Sequence, residues 1–222
     1  MVGIPYGRRL YSAARCVVAG TLALGLGLTG NPVQAGNLAH IEQAGEAQDA
    51  NVTQAGDHNE AVITQVGAGN LAVITQQGAD HVATIKQEDG GHPSAGDPQH
   101  GSRHSAEVEQ EGFSHILDLR QSGAAHGAAV TQHGDDHIVR AVQAGYGNTA
   151  RVHQDGSGHK VRLLQDGHDN DADVPQYGSG NTVKATQLGA GNALEVLQTG
   201  IGDVFGIVQE GGVSVSVTRI GP

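Results

Sequence analysis

Glutamine recurs along this chain at a fixed interval, and that interval limits what the chain can fold into. It stands at Gln43, Gln54, Gln65, Gln76 and Gln87, then at Gln99, Gln110, Gln121, Gln132, Gln143, Gln154, Gln165, Gln176, Gln187, Gln198 and Gln209, every step being eleven residues except one of twelve. So short a period, held over most of 222 residues, describes a stack of equal units, each covering the next, and not one globule around one core. Gly follows nearly every one of these Gln at the second position, as at Gly45, Gly56, Gly67, Gly78, Gly112, Gly123, Gly134 and Gly145, and Asn or His comes at the fifth. The unit is Asn/His-x-Ala/Val-x-Ile/Val/Leu-x-Gln followed by x-Gly-x-x, as in Asn59, Ala61, Ile63 and Gln65 with the turn from Val66 to Gly69.

An eleven-residue period also suits a helix at about 3.67 residues per turn. Glycine in every unit would cost such a helix about 1 kcal/mol each, and the marked residues alternate with a period of two, so the units are strands. A seven-residue strand puts its first, third, fifth and seventh side chains on one face, and a four-residue Gly turn restores that facing in the next strand. The fold class is therefore all-β: a β-solenoid of about seventeen strands, two per coil, running from 37–43 to 203–209 with a weak unit at about 92–99 and a variant one at 214–220. Stacked at the ~4.8 Å strand spacing, about eight coils make a flat two-sheet body roughly 40 Å long.

The composition fits a narrow interior. Trp is absent and aromatics make up 3% of the chain, so Ala, Val, Ile and amide side chains must fill the space between the sheets. Residues 22 apart, such as Gln54 and Gln76 or Asn170 and Asn192, lie above one another, and each amide can donate to the next. The inward polar columns are the Gln series from Gln43 to Gln209, Gln99 apart, together with Asn59, Asn70, His104, His115, His126, His137, Asn148, His159, Asn170, Asn181 and Asn192. His also stands in the Asn position at His81 and His92. A neutral imidazole donates from one nitrogen and accepts at the other, so a His column can replace an amide column, with His104 on His126 and His115, His137 and His159 in one run. Imidazoles ~5 Å apart could converge on a transition metal, but no Cys and no fixed carboxylate completes such a site.

Arg8, Arg9 and Arg15 precede an apolar run from Cys16 to Leu28, and Val33-Gln34-Ala35 offers a small-residue cleavage site, so residues 1–35 read as a secretory signal peptide. The run is too short for the ~20 residues of a spanning helix, which leaves no membrane span in the mature chain. Removal takes away the single cysteine and three of the 12 basic residues, moving the formal charge from −11 to −14. A chain so acidic is a poor partner for nucleic acid, and without Cys it has neither disulfides nor a thiolate zinc site. Nucleophile elbow, phosphate loop and His-Glu-x-x-His motif are missing, so the reading is of a non-enzyme with no catalytic residues and no cofactor. Acidic turns such as Asp135-Asp136 and Asp166-Gly167-His168-Asp169 do not match the Gly-Gly-x-Gly-x-Asp calcium repeat, and Thr53, Thr64 and Thr75 start an outward Thr row that later units do not sustain.

The rhythm breaks between Glu88 and Arg103, where Pro93, Pro98, Gly90, Gly91 and Gly96 remove ladder donors and the one-residue insertion falls. This divides the chain into N-terminal repeats at 36–91, an irregular break at 92–103 and C-terminal repeats at 104–222. Pro175, next to Gln176, is a second ladder defect, on the outward face. After Gln209 the pattern passes to Val213-Ser214-Val215-Ser216-Val217, which shifts the apolar residues to the alternate parity.

The pattern Gln-x-Gly-x-x-Asn-x-Ala-x-x-x-Gln, intact from Gln54 through Gly56, Asn59 and Ala61 to Gln65 and again from Gln65 through Gly67, Asn70 and Ala72 to Gln76, resembles the curlin repeat of curli subunits. The likeness covers nearly the whole mature chain. It implies a secreted bacterial functional amyloid, exported through an outer-membrane secretion pore and polymerised with the help of a nucleator subunit into extracellular, cell-surface fibres of the biofilm matrix. This chain departs from the pattern in having more units, His often in place of Asn, and no Ser at the start of its strands. The rival reading is a monomeric or minor surface solenoid acting as adhesin or fibre nucleator.

Overall fold

The computed structural model describes residues 36–89 and 103–221, and the backbone of 12–19. Its strands are β1 (Ser12–Ala19), β2 (Asn37–Glu46), β3 (Asp49–Asp57), β4 (Glu60–Ala68), β5 (Leu71–Ala79), β6 (Val82–Asp89), β7 (Ser105–Phe113), β8 (Ile116–Ala124), β9 (Gly127–Asp135), β10 (Ile138–Tyr146), β11 (Thr149–Ser157), β12 (Lys160–His168), β13 (Asp171–Ser179), β14 (Thr182–Ala190), β15 (Ala193–Ile201), β16 (Val204–Glu210) and β17 (Ser214–Ile220). Successive strands alternate between two sheets. The first sheet has the order β1-β2-β4-β6-β8-β10-β12-β14-β16 and the second β17-β15-β13-β11-β9-β7-β5-β3. All pairings are parallel, and β2 to β17 form an all-β solenoid with two strands per coil, as the eleven-residue period requires.

Most strands are nine residues long and the turns two, where the repeat pattern suggested seven and four. The reason lies in the glycine after each Gln. The ladder does not stop there: Gly45 pairs with Gly67 and Gly134 with Gly156, so the chain bends while its hydrogen bonds continue. Gly156 has φ +126°, and a Cβ on it would lie 1.9 Å from the carbonyl oxygen of Gly178. No other residue fits. The residue before each Asn or His then takes a left-handed conformation, as Gly158 does at φ 66° and Asp169 at φ 55°, and this single step closes the turn.

Between the sheets the inward positions interlock. Ala61 and Ile63, Ala72 and Ile74, Val139 and Ala141, and Val161 and Leu163 are buried to 2% or less exposure, small beside large, with no aromatic ring among them. Burying each of the larger aliphatic side chains stabilises by roughly 1.5–3 kcal/mol.

Three features differ from the sequence reading. Across the break, β5 pairs with β7 and β6 with β8, so Gln76 meets Gln110 and Gln87 meets Gln121 at a spacing of 34 residues instead of 22. The unit at 92–99, with Gln99, His92, Pro93 and Pro98, lies outside the described residues, and sixteen strands from β2 onward make up the stack. At the other end, the turn after Gln209 is one residue short. Val215 therefore pairs with Leu194, Val217 with Val196 and Arg219 with Gln198, which returns the valines to the inward parity. Finally, Ser12–Ala19, inside the segment read as a leader, lies as a parallel strand on β2, Ala14 beside Ala39 and Cys16 beside Ile41. The open edge of β2 offers unpaired backbone groups that such a strand satisfies. Pro175 interrupts its ladder as anticipated: β13 and β15 pair on both sides of residues 174 and 175 but not at them.

Candidate functional site: the amide and imidazole columns

The Gln residues form two unbroken rows. In the first sheet Nε2 of each donates to Oε1 of the next, from Gln43 to Gln65 (2.7 Å), Gln87, Gln121, Gln143, Gln165, Gln187 and Gln209 (3.0 Å from Gln187). In the second the row is Gln54, Gln76, Gln110, Gln132, Gln154, Gln176 and Gln198, with distances of 2.7 to 2.9 Å. Many of these amides also reach across the interior: Gln165 donates to the carbonyl of Thr149 and Gln187 to that of Asp171, which ties one sheet to the other. From Gln65 to Gln209 every member is buried, while Gln43 and Gln54, on the first coil, are half-buried. Each row runs one way. Reversing a single amide would set two N–H groups or two oxygens face to face in a buried site, at a cost of about 1–3 kcal/mol.

The Asn and His columns follow a second rule, in which the main partner is backbone. Asn148 Nδ2 donates to the carbonyl of Ala144, four residues back, and its Oδ1 accepts the N–H of Asn170. Asn170 and Asn192 add direct amide contacts to the Asn below, at 3.1 and 2.9 Å. His reproduces the pattern atom for atom. His115, His126, His137 and His159 place Nε2 2.9 to 3.1 Å from the carbonyl four residues back, and Nδ1 accepts the N–H of His137, Asn148, His159 and Asn181 respectively. Since a carbonyl only accepts and a backbone N–H only donates, these partners select the neutral tautomer with its proton on Nε2. The imidazoles stack without bonding to each other: His81, His115, His137 and His159 form one run with centroids 4.8 to 5.0 Å apart, and His104 lies 5.1 Å from His126. His81 joins this run because the 34-residue step across the break brings it under His115.

These surroundings oppose protonation. Burial pushes His81, His126, His137 and His159 below the ordinary imidazole range and takes His115 to about 4, with the neighbouring His137 and His81 adding to the effect there and the hydrogen bond to Glu111 opposing it. Both nitrogens of each ring are engaged by backbone, so a metal ion would have to displace a hydrogen bond to bind. Among the described residues no group of three or more His, Cys, Asp or Glu is placed to hold one.

The two ends of the columns are unlike. At the first coil, Oε1 of Gln54 and of Gln48, which stands in the Asn column, are buried without a partner. At the last, Asp203 replaces Asn, Val213 replaces Asn and Arg219 replaces Gln. Arg219 Nη2 bonds Asp203 Oδ1 at 3.3 Å, an ion pair set across the two sheets at positions that Gln and Asn or His occupy in the coils before it. Neither this pair nor the place of His81 was read from the sequence; the short Glu210-Gly211-Gly212 turn was the available signal for the first.

Stacked parallel strands, two per coil, with amide rows along the axis define a β-solenoid repeat protein. Residues 56–88 and 167–200 match the family model of the curlin associated repeat, one match in each half of the stack. No curated protein and no solved structure matches it significantly.

Proposed function

We propose that this chain is a secreted subunit that polymerises into extracellular curli-like amyloid fibres, the end coil of one molecule continuing the two sheets and the polar columns of the next. The observation that carries this reading is the unfinished first coil. Among the described residues Gln54 Oε1 is buried without a donor, and the edge of β2 takes up a parallel strand in register. A second copy arriving by its last coil supplies both: β16 continues the first sheet with the Gln209 amide above Gln43, and Arg219 offers guanidinium N–H groups to Gln54. Secretion through an outer-membrane pore, a nucleator partner and a place in the biofilm matrix follow from the curlin repeat. Negative-stain microscopy with thioflavin fluorescence on the purified chain from residue 36 tests the reading; unbranched, dye-positive filaments support it.

The Asp203–Arg219 pair and the valines of β17 favour a second reading, a surface solenoid whose last coil is capped and which acts as adhesin or nucleator. A persistently monomeric, dye-negative chain would decide for it.

A further inference from the structure

The outward sides of the two sheets differ in charge: cations gather on β10, β12 and β14 of the first sheet, and carboxylates dominate the second. On the first sheet, Arg140, Arg162 and Lys184 stand side by side on β10, β12 and β14, with Lys160 two residues before Arg162, and all four are exposed. Like charges directly opposite one another on neighbouring strands destabilise a sheet. The face does relieve such strain elsewhere, since Arg120 pairs with Asp118 at 2.9 Å and Lys86 with Glu88 at 2.8 Å. Among the described residues the four cations have no carboxylate within ion-pair distance.

The second sheet is its counterpart. Glu107 and Glu109 lie exposed along β7, and Asp173 on β13 neighbours Glu195 on β15. Burial pushes the Asp173 carboxyl up, Asp171 and Glu195 push it further, and Arg151 opposes them. Among the described residues the ion pair between Arg151 and Asp171, 3.3 Å, is the one Arg or Lys pair on the outward face of the second sheet. Packed sheets lie ~10 Å apart and charges are screened over ~10 Å at 0.1 M salt, so each face presents its own field outward. In a chain of net charge −11, a patch of four unpaired cations on one face is a concentrated feature.

We propose that these faces dock on one another between molecules, the Arg140, Arg162 and Lys184 face of one copy against the Glu107, Glu109 and Glu195 face of the next. The proposal rests on the fibre reading and adds to it the way in which filaments associate sideways. Seven residue lengths by eight coils make a face of about 23 by 38 Å, close to the ~800 Å² per partner of a stable interface. Leu164 and Tyr177, 37% and 38% exposed, supply apolar surface, one on each face. Because the two faces differ, the contact is heterologous and does not close, so it generates bundles of indefinite width.

The test uses two triple variants of the chain from residue 36. Arg140→Glu, Arg162→Glu and Lys184→Glu together turn the cationic patch acidic; Glu107→Lys, Glu109→Lys and Glu195→Lys together replace three carboxylates of the second sheet with cations. Each variant assembled alone is expected to give single-width, thioflavin-positive filaments, with a several-fold loss of the bundles seen in wild type by electron microscopy. Mixing the two sets of preformed filaments restores bundles, and raising salt from about 0.1 M to about 1 M, where the screening length falls to ~3 Å, disperses wild-type bundles. Bundles that persist in either variant alone, or that ignore salt, overturn the proposal. So does wild type that bundles only when inorganic polyphosphate is added, which would make the basic face a polyanion site. If no variant and no wild-type sample forms filaments, the fibre reading fails separately. The mixture is then read by sedimentation of the soluble solenoids: association beyond that of either variant alone supports face pairing, and its absence overturns it.

Discussion

Acid should loosen this fold through its histidines. His115 titrates at 6.5 when unfolded and at about 4 when folded, so below 6.5 the unfolded chain binds the more protons. The stabilisation is complete above ~6.5 and is lost as pH falls toward ~4; linkage gives about 2 kcal/mol lost at His115 alone by pH ~5. His81, His126, His137 and His159 are displaced in the same direction and add to that loss. The geometry supplies the cause beyond burial itself, since a second proton must go on Nδ1, where it would confront the backbone N–H that this nitrogen now accepts. Asp80, Asp135 and Asp155 lie near enough to favour the imidazolium and reduce the effect.

The informative perturbation is His115→Asn, His137→Asn and His159→Asn together. Asn in this column already makes the same two backbone contacts at Asn59, Asn148 and Asn181, so the variant keeps the bonds and loses the titration. Urea unfolding followed by circular dichroism reads it out. With slopes of ~1–3 kcal/mol per molar, wild type should lose about 1 M of midpoint or more between pH ~7.5 and ~5, and assemble more slowly at the lower pH. The variant should lose less than half as much. A variant with the full wild-type response would refute the imidazole account and place the controlling charge on the carboxylates.

Three further outcomes are expected. Gln154→Ala leaves the Gln132 amide without its acceptor and Gln176 Oε1 without its donor, at about 1–3 kcal/mol each, whereas Ser157→Ala at the exposed end of β11 changes stability by less than about 0.5 kcal/mol; equal unfolding midpoints would sink the row. Gly156→Ala sets a methyl 1.9 Å from the Gly178 oxygen and should abolish the folded state, while Gly158→Ala, with nothing nearer than 3.8 Å, costs only the ~1–2 kcal/mol of a left-handed Ala; circular dichroism of the pair checks this. Pro175→Thr returns a ladder donor where β13 and β15 are unpaired and should raise the unfolding midpoint by about 1 kcal/mol equivalent, a gain absent if the gap has another cause.

Periodicity made the strands, their facing and the amide rows legible, because an eleven-residue unit of alternating pattern leaves each inward side chain one possible neighbour along the axis. It could not show how far each strand runs. Glycine after Gln announces a turn, but whether the ladder stops before Gly156 or bends through it depends on φ, and the pattern of residue types is identical in both cases. The last coil shows the same limit in another form. Val213, Val215 and Val217 look out of phase when counted from Gln209, yet they are in phase when counted back from the short Glu210-Gly211-Gly212 turn, and the inward face settles the matter since that register sets Val215 and Val217, half-buried, beside Leu194 and Val196.

The break required a different kind of reasoning. A sheet counts strands and not residues, so a unit unable to donate its ladder hydrogen bonds can be passed over, and the next competent unit takes its place in the alternation. Pro93 and Pro98 remove two donors within six residues, which marks the unit at 92–99 as the one most easily passed over. The cost is closure of a longer connection, and each doubling of loop length adds only ~0.6 kcal/mol. Against that stand the two Gln bonds at 2.9 Å joining Gln76 to Gln110 and Gln87 to Gln121, and the stacking of His81 on His115, none of which forms if a donor-poor strand is inserted between them. The step from 22 to 34 residues is thus the arrangement that keeps the ladders from β5 to β7 and from β6 to β8 free of the two missing donors.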